Sequence, residues 1–413
     1  MKKYSLRQKI YRYKSRVRSE GWRVQLACER VKRKVYYHTR HLFEERALQT
    51  TSGKRFLELS ALLTEHLERQ LDQNPELAAE VGSQLLNVLK NCDEITYEEA
   101  GTAQAYALLH FLNRYHRFQL TFAALQEQGV LPKRTSGLEI LDIGTGPGPS
   151  MFATSDFFSV LLGWKPRDRF EYGTCPFRID YVERSFEFRN WLHHLTEYVN
   201  YWSPSGLPWQ VPFHHGTFHD FQDIQFNQPR TYYERDGDDE VIRRSIKKHR
   251  FDVAIFSNFL TTKDQVLGFR KEIEDCARYL RHNGILIVVG APDRSKKYQA
   301  VYKEITSIVL DGKYGRHSFK AHCREIKLAQ TVLSFKWDDP YGSHIKDFTR
   351  RIFEKLKKQA PHHIPEEAKT RIEASFEKEY NYPIEWEVRV FKKIAKPRTP
   401  AGMTRAERAK ATA

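Results

Sequence analysis

Cysteine is scarce. The 413-residue chain has five, Cys28, Cys92, Cys175, Cys276 and Cys323, scattered and without a CxxC pair. That excludes a disulfide framework and a cysteine-built zinc or iron–sulfur site, and it fits a reducing, cytoplasmic setting. The two adjacent histidines, His214 and His215, would point to opposite faces of a strand, so no metal site is expected. Long apolar runs are missing too. No window of about 18 apolar residues occurs, so no membrane-spanning helix is expected. No apolar segment follows Lys2 and Lys3, so no secretory signal is expected. No internal repeat or low-complexity tract is present. The remainder is ordinary for a globular protein, with 40% hydrophobic and 29% charged residues, a length that suits two to three domains.

Acids are rare at the two ends. The chain carries a formal charge of +16. Residues 1–50 hold 15 Lys/Arg against 4 acids, a net of +11, and residues 391–413 hold 7 against 1, a net of +6. The middle therefore sums to −1. Charge segregated in this way points to a polyanionic partner for both ends, most simply nucleic acid. In residues 1–50, Val24, Cys28, Val31 and Val35 make one apolar stripe, while Arg23, Arg30 and Lys32–Lys34 fall mainly off it. Tyr4, Tyr11, Tyr13, Trp22, Tyr36 and Tyr37 interleave with the cations, so the arm can pair with phosphates and stack on bases. Residues 1–19 have the basic, serine-containing composition of a transit peptide. The same pattern continues past residue 19, which favours a basic helical arm over residues 1–50.

Residues 51–134 read as a helical domain or cap. Phe56, Leu59, Leu63 and Leu67 form a stripe, and Asn74-Pro75 supplies a cap and first-turn proline for a second helix. From residue 135 to 395 the texture is α/β. Apolar strand candidates at 138–143, 177–183, 209–214, 251–257 and 284–290 alternate with helical stretches, including 264–280. Strand candidates at 331–337 and 385–391 complete a mostly parallel, seven-stranded sheet. Insertions fall at 160–176 and at 222–250, the latter a highly charged loop or flap. Residues 396–413 form a basic flexible tail.

The chemistry centres on LEILDIGTGPGPS, residues 138–150. An apolar strand ends at Asp142, and Gly144, Gly146 and Gly148 follow at alternate positions. Glycines here permit a tight turn and close approach of a ligand to the backbone, and the following helix offers its N-terminal N–H groups. No Gly-Lys-Ser/Thr follows, so this is not a Walker A loop, and the third glycine comes one residue early for the dinucleotide fingerprint.

This strand–Asp–GxGxG–helix resembles motif I of the class I S-adenosylmethionine-dependent methyltransferases. The resemblance spans about residues 138–293 and implies a Rossmann-like fold with S-adenosylmethionine as cofactor. It implies that Asp142, Gly144, Gly146 and Gly148 hold the amino-acid part of the cofactor. Glu183, at the end of FRIDYVE, would accept from the two ribose hydroxyls. The third strand leads to HHGTFHDF, where Thr217 stands in place of the family's acid, and Asp220 is the nearest substitute for reading the adenine. Ser257-Asn258-Phe259 closes the fourth strand. There Asn258 would orient the acceptor or the cofactor's amino group, the one catalytic candidate, and Phe259 would wall the site. WDDPYG (337–342) is similar to an amino-methyltransferase motif but follows the wrong strand, and it is read as a turn.

A second, more diffuse resemblance links TYEEAGTAQAYALLHFL, LDIGTGPG and GAPDRSKKYQAVYKEI to the methyltransferase-like family of the small ribosomal subunit. That family's cysteine cluster is absent, since only Cys323 lies in the corresponding region. Together these features imply a methyltransferase acting on RNA, possible ribosomal RNA included. The alternative is a non-catalytic RNA-binding or ribosome-assembly protein that keeps the fold as a scaffold or sensor.

Overall fold

The computed structural model describes residues 45–90, 97–132, 138–162, 177–202, 217–218, 224, 230–236, 240–246, 251–257, 259–292, 296–311, 323–337, 339–377 and 383–394. The basic arm up to residue 44, the 163–176 segment, the strand candidate at 209–214 and the tail from residue 395 lie outside them.

Helices come first: α1 (Glu45–Gln73), α2 (Pro75–Lys90) and α3 (Thr102–Tyr106). A π-helical turn, Ala107–Phe111, then leads into α4 (Leu112–Glu127). Asn74 caps α2, its Oδ1 accepting from the backbone N–H of Glu76 at 3.1 Å and Leu77 at 3.3 Å. Within the π turn, the Leu108 carbonyl also accepts from the Thr349 hydroxyl at 3.3 Å.

The α/β part runs β1 (Leu138–Ile143), α5 (Pro149–Leu162), β2 (Phe177–Val182), α6 (Phe186–Trp202), β3 (Thr217–Phe218), β4 (Arg230–Asp236) and β5 (Glu240–Ile246). It continues with β6 (Val253–Ser257), α7 (Lys263–Gly268), α8 (Arg270–Tyr279), β7 (Ile285–Gly290) and α9 (Lys296–Asp311). Last come β8 (Cys323–Glu325), β9 (Val332–Phe335), α10 (Pro340–Gln359), α11 (Glu366–Glu377) and β10 (Ile384–Lys393).

The main sheet has the order β3-β2-β1-β6-β7-β10-β8, and β9 pairs with the first half of β10 beside β8. It is therefore seven positions wide. From β3 to β7 every pairing is parallel, while β10 runs antiparallel to β7. This is the mostly parallel, Rossmann-like sheet expected from the alternation. Because β10 is reversed, its last residues sit beside Ile285, where β7 begins. The chain thus leaves β10 at the edge opposite to that where β1 and β6 end.

β6 and β7 are buried along their whole length because helices cover both faces. On one face, Leu138, Ile140, Ile255, Ile287 and Trp386 join a core that also includes Phe56, Phe111, Phe122, Phe152 and Phe353 from the helices. The N-terminal helices share this core with the sheet. On the other face, Leu141, Ile143, Phe256, Val288 and Phe391 pack against α7, α8 and α9.

Three local features differ from the sequence expectation. The helix expected over 264–280 is two helices, because the chain turns at Phe269. The charged 222–250 insertion carries an antiparallel hairpin, with Arg230–Asp236 paired to Glu240–Ile246. WDDPYG opens a helix. Asp339 Oδ1 accepts from the Gly342 N–H at 2.7 Å and Pro340 occupies the first turn, where its missing N–H costs nothing.

Candidate functional site

β1 marks the point where the strand order reverses. Its crossover to β2, through α5, lies on one face, and the β6-to-β7 crossover, through α7 and α8, lies on the other. A crevice must open outside the carboxyl ends of β1 and β6, the usual ligand position in such sheets. The glycine turn fills that position.

The turn is pinned to β2. The Gly144 N–H donates to the Val182 carbonyl at 2.9 Å, and the Gly148 N–H donates to Thr145 at 3.1 Å. Two of its glycines are dictated by crowding. At Gly144 (φ +73°) a Cβ would come within 2.5 Å of the Phe259 Cβ. At Gly148 (φ +101°) it would meet Leu192 at 2.3 Å. At Gly146 (φ +59°) a Cβ would make only ordinary contact, 3.8 Å from the Phe188 ring.

Two carboxylates flank the turn. Glu183 is buried, and its two oxygens accept the Gly146 N–H at 2.7 Å and the Ser185 N–H at 2.8 Å. Burial raises its pKa, and the backbone donors oppose that rise. Asp142 is fully buried on the α5 side of β1. Its Oδ2 accepts from the Ser150 hydroxyl at 2.5 Å, while its Oδ1 has no hydrogen-bond partner. Burial pushes its pKa up to about 7, against the pull of the Ser150 hydrogen bond. An unsatisfied buried carboxylate oxygen is costly unless a donor arrives. A polar ligand group at the turn would supply one.

The mouth of the crevice is formed by a strap from the helical layer. Ser185 Oγ donates to the Tyr97 carbonyl at 2.6 Å and accepts from the Phe188 N–H at 3.1 Å, capping α6. The Phe186 N–H donates to Glu98 at 3.2 Å. Tyr97 adopts φ +57°, a conformation that costs energy in a non-glycine residue, and its ring lies 4.8 Å from that of Phe188. Sequence reasoning missed Ser150, Ser185 and this strap. A serine just before the apolar run of α6 was a legible cap signal for Ser185. Nothing in the sequence marked Tyr97.

At the end of β6, Ser257 is buried and Phe259 presses on the turn at Gly144. Behind Phe259 lies a small apolar pocket bounded by Phe256, Val289, Gly290, Tyr298 and Tyr302. The structure thus brings Asp142, Gly144, Gly146, Gly148, Glu183 and Phe259 to one sheet edge. Asn258 and Asp220 lie outside the described residues.

The residues fit a cofactor with a polar amino-acid end and a vicinal diol. Asp142 Oδ1 has no hydrogen-bond partner, a Cβ at Gly146 would meet nothing nearer than the Phe188 ring at 3.8 Å, and a carboxylate such as Glu183 has about four acceptor sites. No protein-family model matches the chain, and no curated protein matches it. Among solved structures, it is similar to an S-adenosylmethionine-dependent methyltransferase of Methanosarcina mazei (11% identity, TM-score 0.32), covering 66% of this chain and 98% of that one. It is similar to a putative sarcosine dimethylglycine methyltransferase of Galdieria sulphuraria (15% identity, TM-score 0.35), covering 68% and 85%. It is also similar to a putative RNA methyltransferase of Pyrococcus horikoshii (11% identity, TM-score 0.30), covering 73% and 87%.

Proposed function

We propose that this chain is an S-adenosylmethionine-dependent methyltransferase whose substrate is RNA. The observation that carries the reading is the glycine turn held between two buried carboxylates, one of which keeps an unpaired oxygen. The cofactor supplies a methyl group activated on a sulfonium. The chain's own residues bind, orient and exclude water. Glu183, fixed by two backbone donors, accepts the ribose hydroxyls. Asp142, fixed by Ser150, accepts a donor from the amino-acid end. Phe259 walls the crevice on the β6 side.

RNA as substrate is supported by the basic ends, +11 over residues 1–50 and +6 over residues 391–413. The second resemblance, to the small-ribosomal-subunit family, points the same way. The competing reading is a non-catalytic RNA-binding scaffold. It is favoured by Thr217, which sits on β3 where the family carries an acid.

Titration calorimetry with S-adenosylmethionine tests the site. Binding is expected for the native chain, with a loss of at least tenfold in Glu183→Gln and abolition in Gly146→Arg. No heat and no thermal shift in the native chain would remove the cofactor reading. Transfer of labelled methyl groups to RNA then separates enzyme from scaffold.

A further inference from the structure

Arginines that enter the interior are neutralised by acids at three places. Arg55 meets Asp156, Arg281 meets Asp252 and Arg389 meets Glu387. Arg114 and Arg117 of α4 are half-buried as well, but among the described residues each lies against a ring and not a carboxylate. Arg114 is 4.9 Å from the centroid of Tyr106, and Arg117 is 6.0 Å from that of Trp386. The face of a ring attracts a cation without neutralising it.

His110 completes the group. It stands four residues before Arg114 and seven before Arg117, and its ring lies 5.0 Å from that of Tyr106. The imidazole donates to the Val88 backbone of α2, while its Nε2 is buried with no partner. The Nε of Arg117 is likewise buried and unpartnered. Burial and the Arg114 charge together lower the Arg117 pKa to about 9 and that of His110 to about 3. The described acids of neighbouring elements are turned or bound elsewhere. Glu385 and Glu387 flank Trp386 on β10, so their side chains leave the opposite face of the strand. Glu99 accepts from Gln84 at 2.5 Å, and Glu98 accepts from the Phe186 N–H at 3.2 Å. Charge buried in this way is costly unless an anion joins it.

We infer that His110, Arg114 and Arg117 form a binding site for a phosphate group. The site is independent of the methyltransferase reading. Guanidinium donors lie in a planar fork that matches two phosphate oxygens, and charge-assisted hydrogen bonds of this kind are the strong ones. A phosphate that carries a proton can also donate to Nε2 of His110. The site is set apart from the crevice by a layer of rings. Tyr106, which backs Arg114, meets the Phe188 ring at 5.3 Å, and Phe188 is the ring beside Gly146. The phosphate can arrive free or as part of an RNA backbone, and the two sources are separable.

Titration calorimetry of the full chain with sodium phosphate, at an ionic strength held constant with chloride, tests the site. The native chain should bind, and Arg114→Gln and Arg117→Gln should each weaken binding by about 10- to 150-fold. In phosphate-free buffer, Arg117→Met should melt no lower than the native chain, because it removes an unpaired charge from the interior. A lower melting temperature would make Arg117 a structural residue and overturn the site. Added phosphate should raise the melting temperature of the native chain and leave that of Arg117→Met unchanged. Fluorescence anisotropy with a labelled 12-nucleotide RNA identifies the source. If an RNA phosphate occupies the site, Arg114→Gln/Arg117→Gln should reduce the salt slope of RNA binding by about one. If free phosphate is the ligand, that slope should not change. No heat with phosphate together with an unchanged slope would overturn the site. Undiminished phosphate binding by the double variant would do the same.

Discussion

On one face of the sheet, α5 is itself roofed by α1 and α4; on the other, α7, α8 and α9 carry exposed residues directly above the strands. The roofed helix α5 is buried at nearly every position, with apolar and small hydroxyl residues all round. Its one acid, Asp156, therefore finds its partners inside the protein. The Tyr115 hydroxyl donates to it at 2.5 Å and Arg55 lies at 3.4 Å. Buried histidines collect on the same side: His66, His110 and His116. The thinner face buries Cys276 and Cys323, whose thiols are pushed up by burial. Added thickness thus comes with polar groups that are expensive to strand.

The comparison breaks most visibly at the ion pairs. Arg55→Met leaves Asp156 buried with Tyr115 alone, and urea unfolding at pH 7.5 should record a loss of about 3–5 kcal/mol. Part of that loss should return at pH 5.5, because burial has already raised the Asp156 pKa to about 7 and the protonated form needs no cation. Arg281→Met, which removes the half-exposed partner of Asp252 at the far sheet edge, should cost roughly 1–2 kcal/mol. Equal costs would erase the distinction between the two pairs.

Acid should expose the roofed face next. Burial lowers the pKa of His66 and His116 to about 4 and that of His110 to about 3. The unfolded chain takes up these protons from about pH 6.5 downward, whereas the folded chain refuses them until near pH 4. Stability from these groups is therefore lost as pH falls through that window. The raised pKa values of Asp142 and Asp156 act in the opposite sense, and their contribution is lost as pH rises through about 7. His66→Phe, which keeps a ring between Trp191 and Tyr198, should reduce the acid loss between pH 6.5 and 4.5 by about 2 kcal/mol in thermal scans.

The smallest effect belongs to the thin face. Thr262 and Gln265 form a reciprocal cap at the start of α7, each side chain accepting the other's backbone N–H at 3.2 Å. Thr262→Ala should cost about 1 kcal/mol at any pH from 5 to 8.

What was legible in the sequence follows the same division. β1, β6 and β7 could be read because strands buried on both faces must be continuously apolar. Asp142 and the three glycines could be read because a tight turn at a strand end restricts the residue types it accepts, whereas Glu183 was marked out only by the family resemblance. The break at Phe269 follows Gly268, a helix-weakening residue that an otherwise continuous helical pattern outweighed, and the Phe269 ring sits 5.1 Å from that of Phe259. Asp339-Pro340 carried the same cap signal as Asn74-Pro75, but its Asp-Pro-Tyr-Gly run also suits a turn. The pairing of Arg230–Asp236 with Glu240–Ile246 hid among charges, although an Asp-Gly pair at 236–237 stands between the two segments in the sequence. β8 is three residues long, and no periodicity can show in so short a segment.

The reversal of β10 has a mechanical consequence. Lys393 lies beside Cys323 and anchors to the Ala277 and Arg278 carbonyls at the sheet edge away from the glycine turn. Five strand residues and three strand spacings separate the two places, roughly 20 Å. The +6 segment therefore begins at the end of the sheet away from the glycine turn, and RNA bound as proposed would meet these first residues on the far side of the sheet from the crevice.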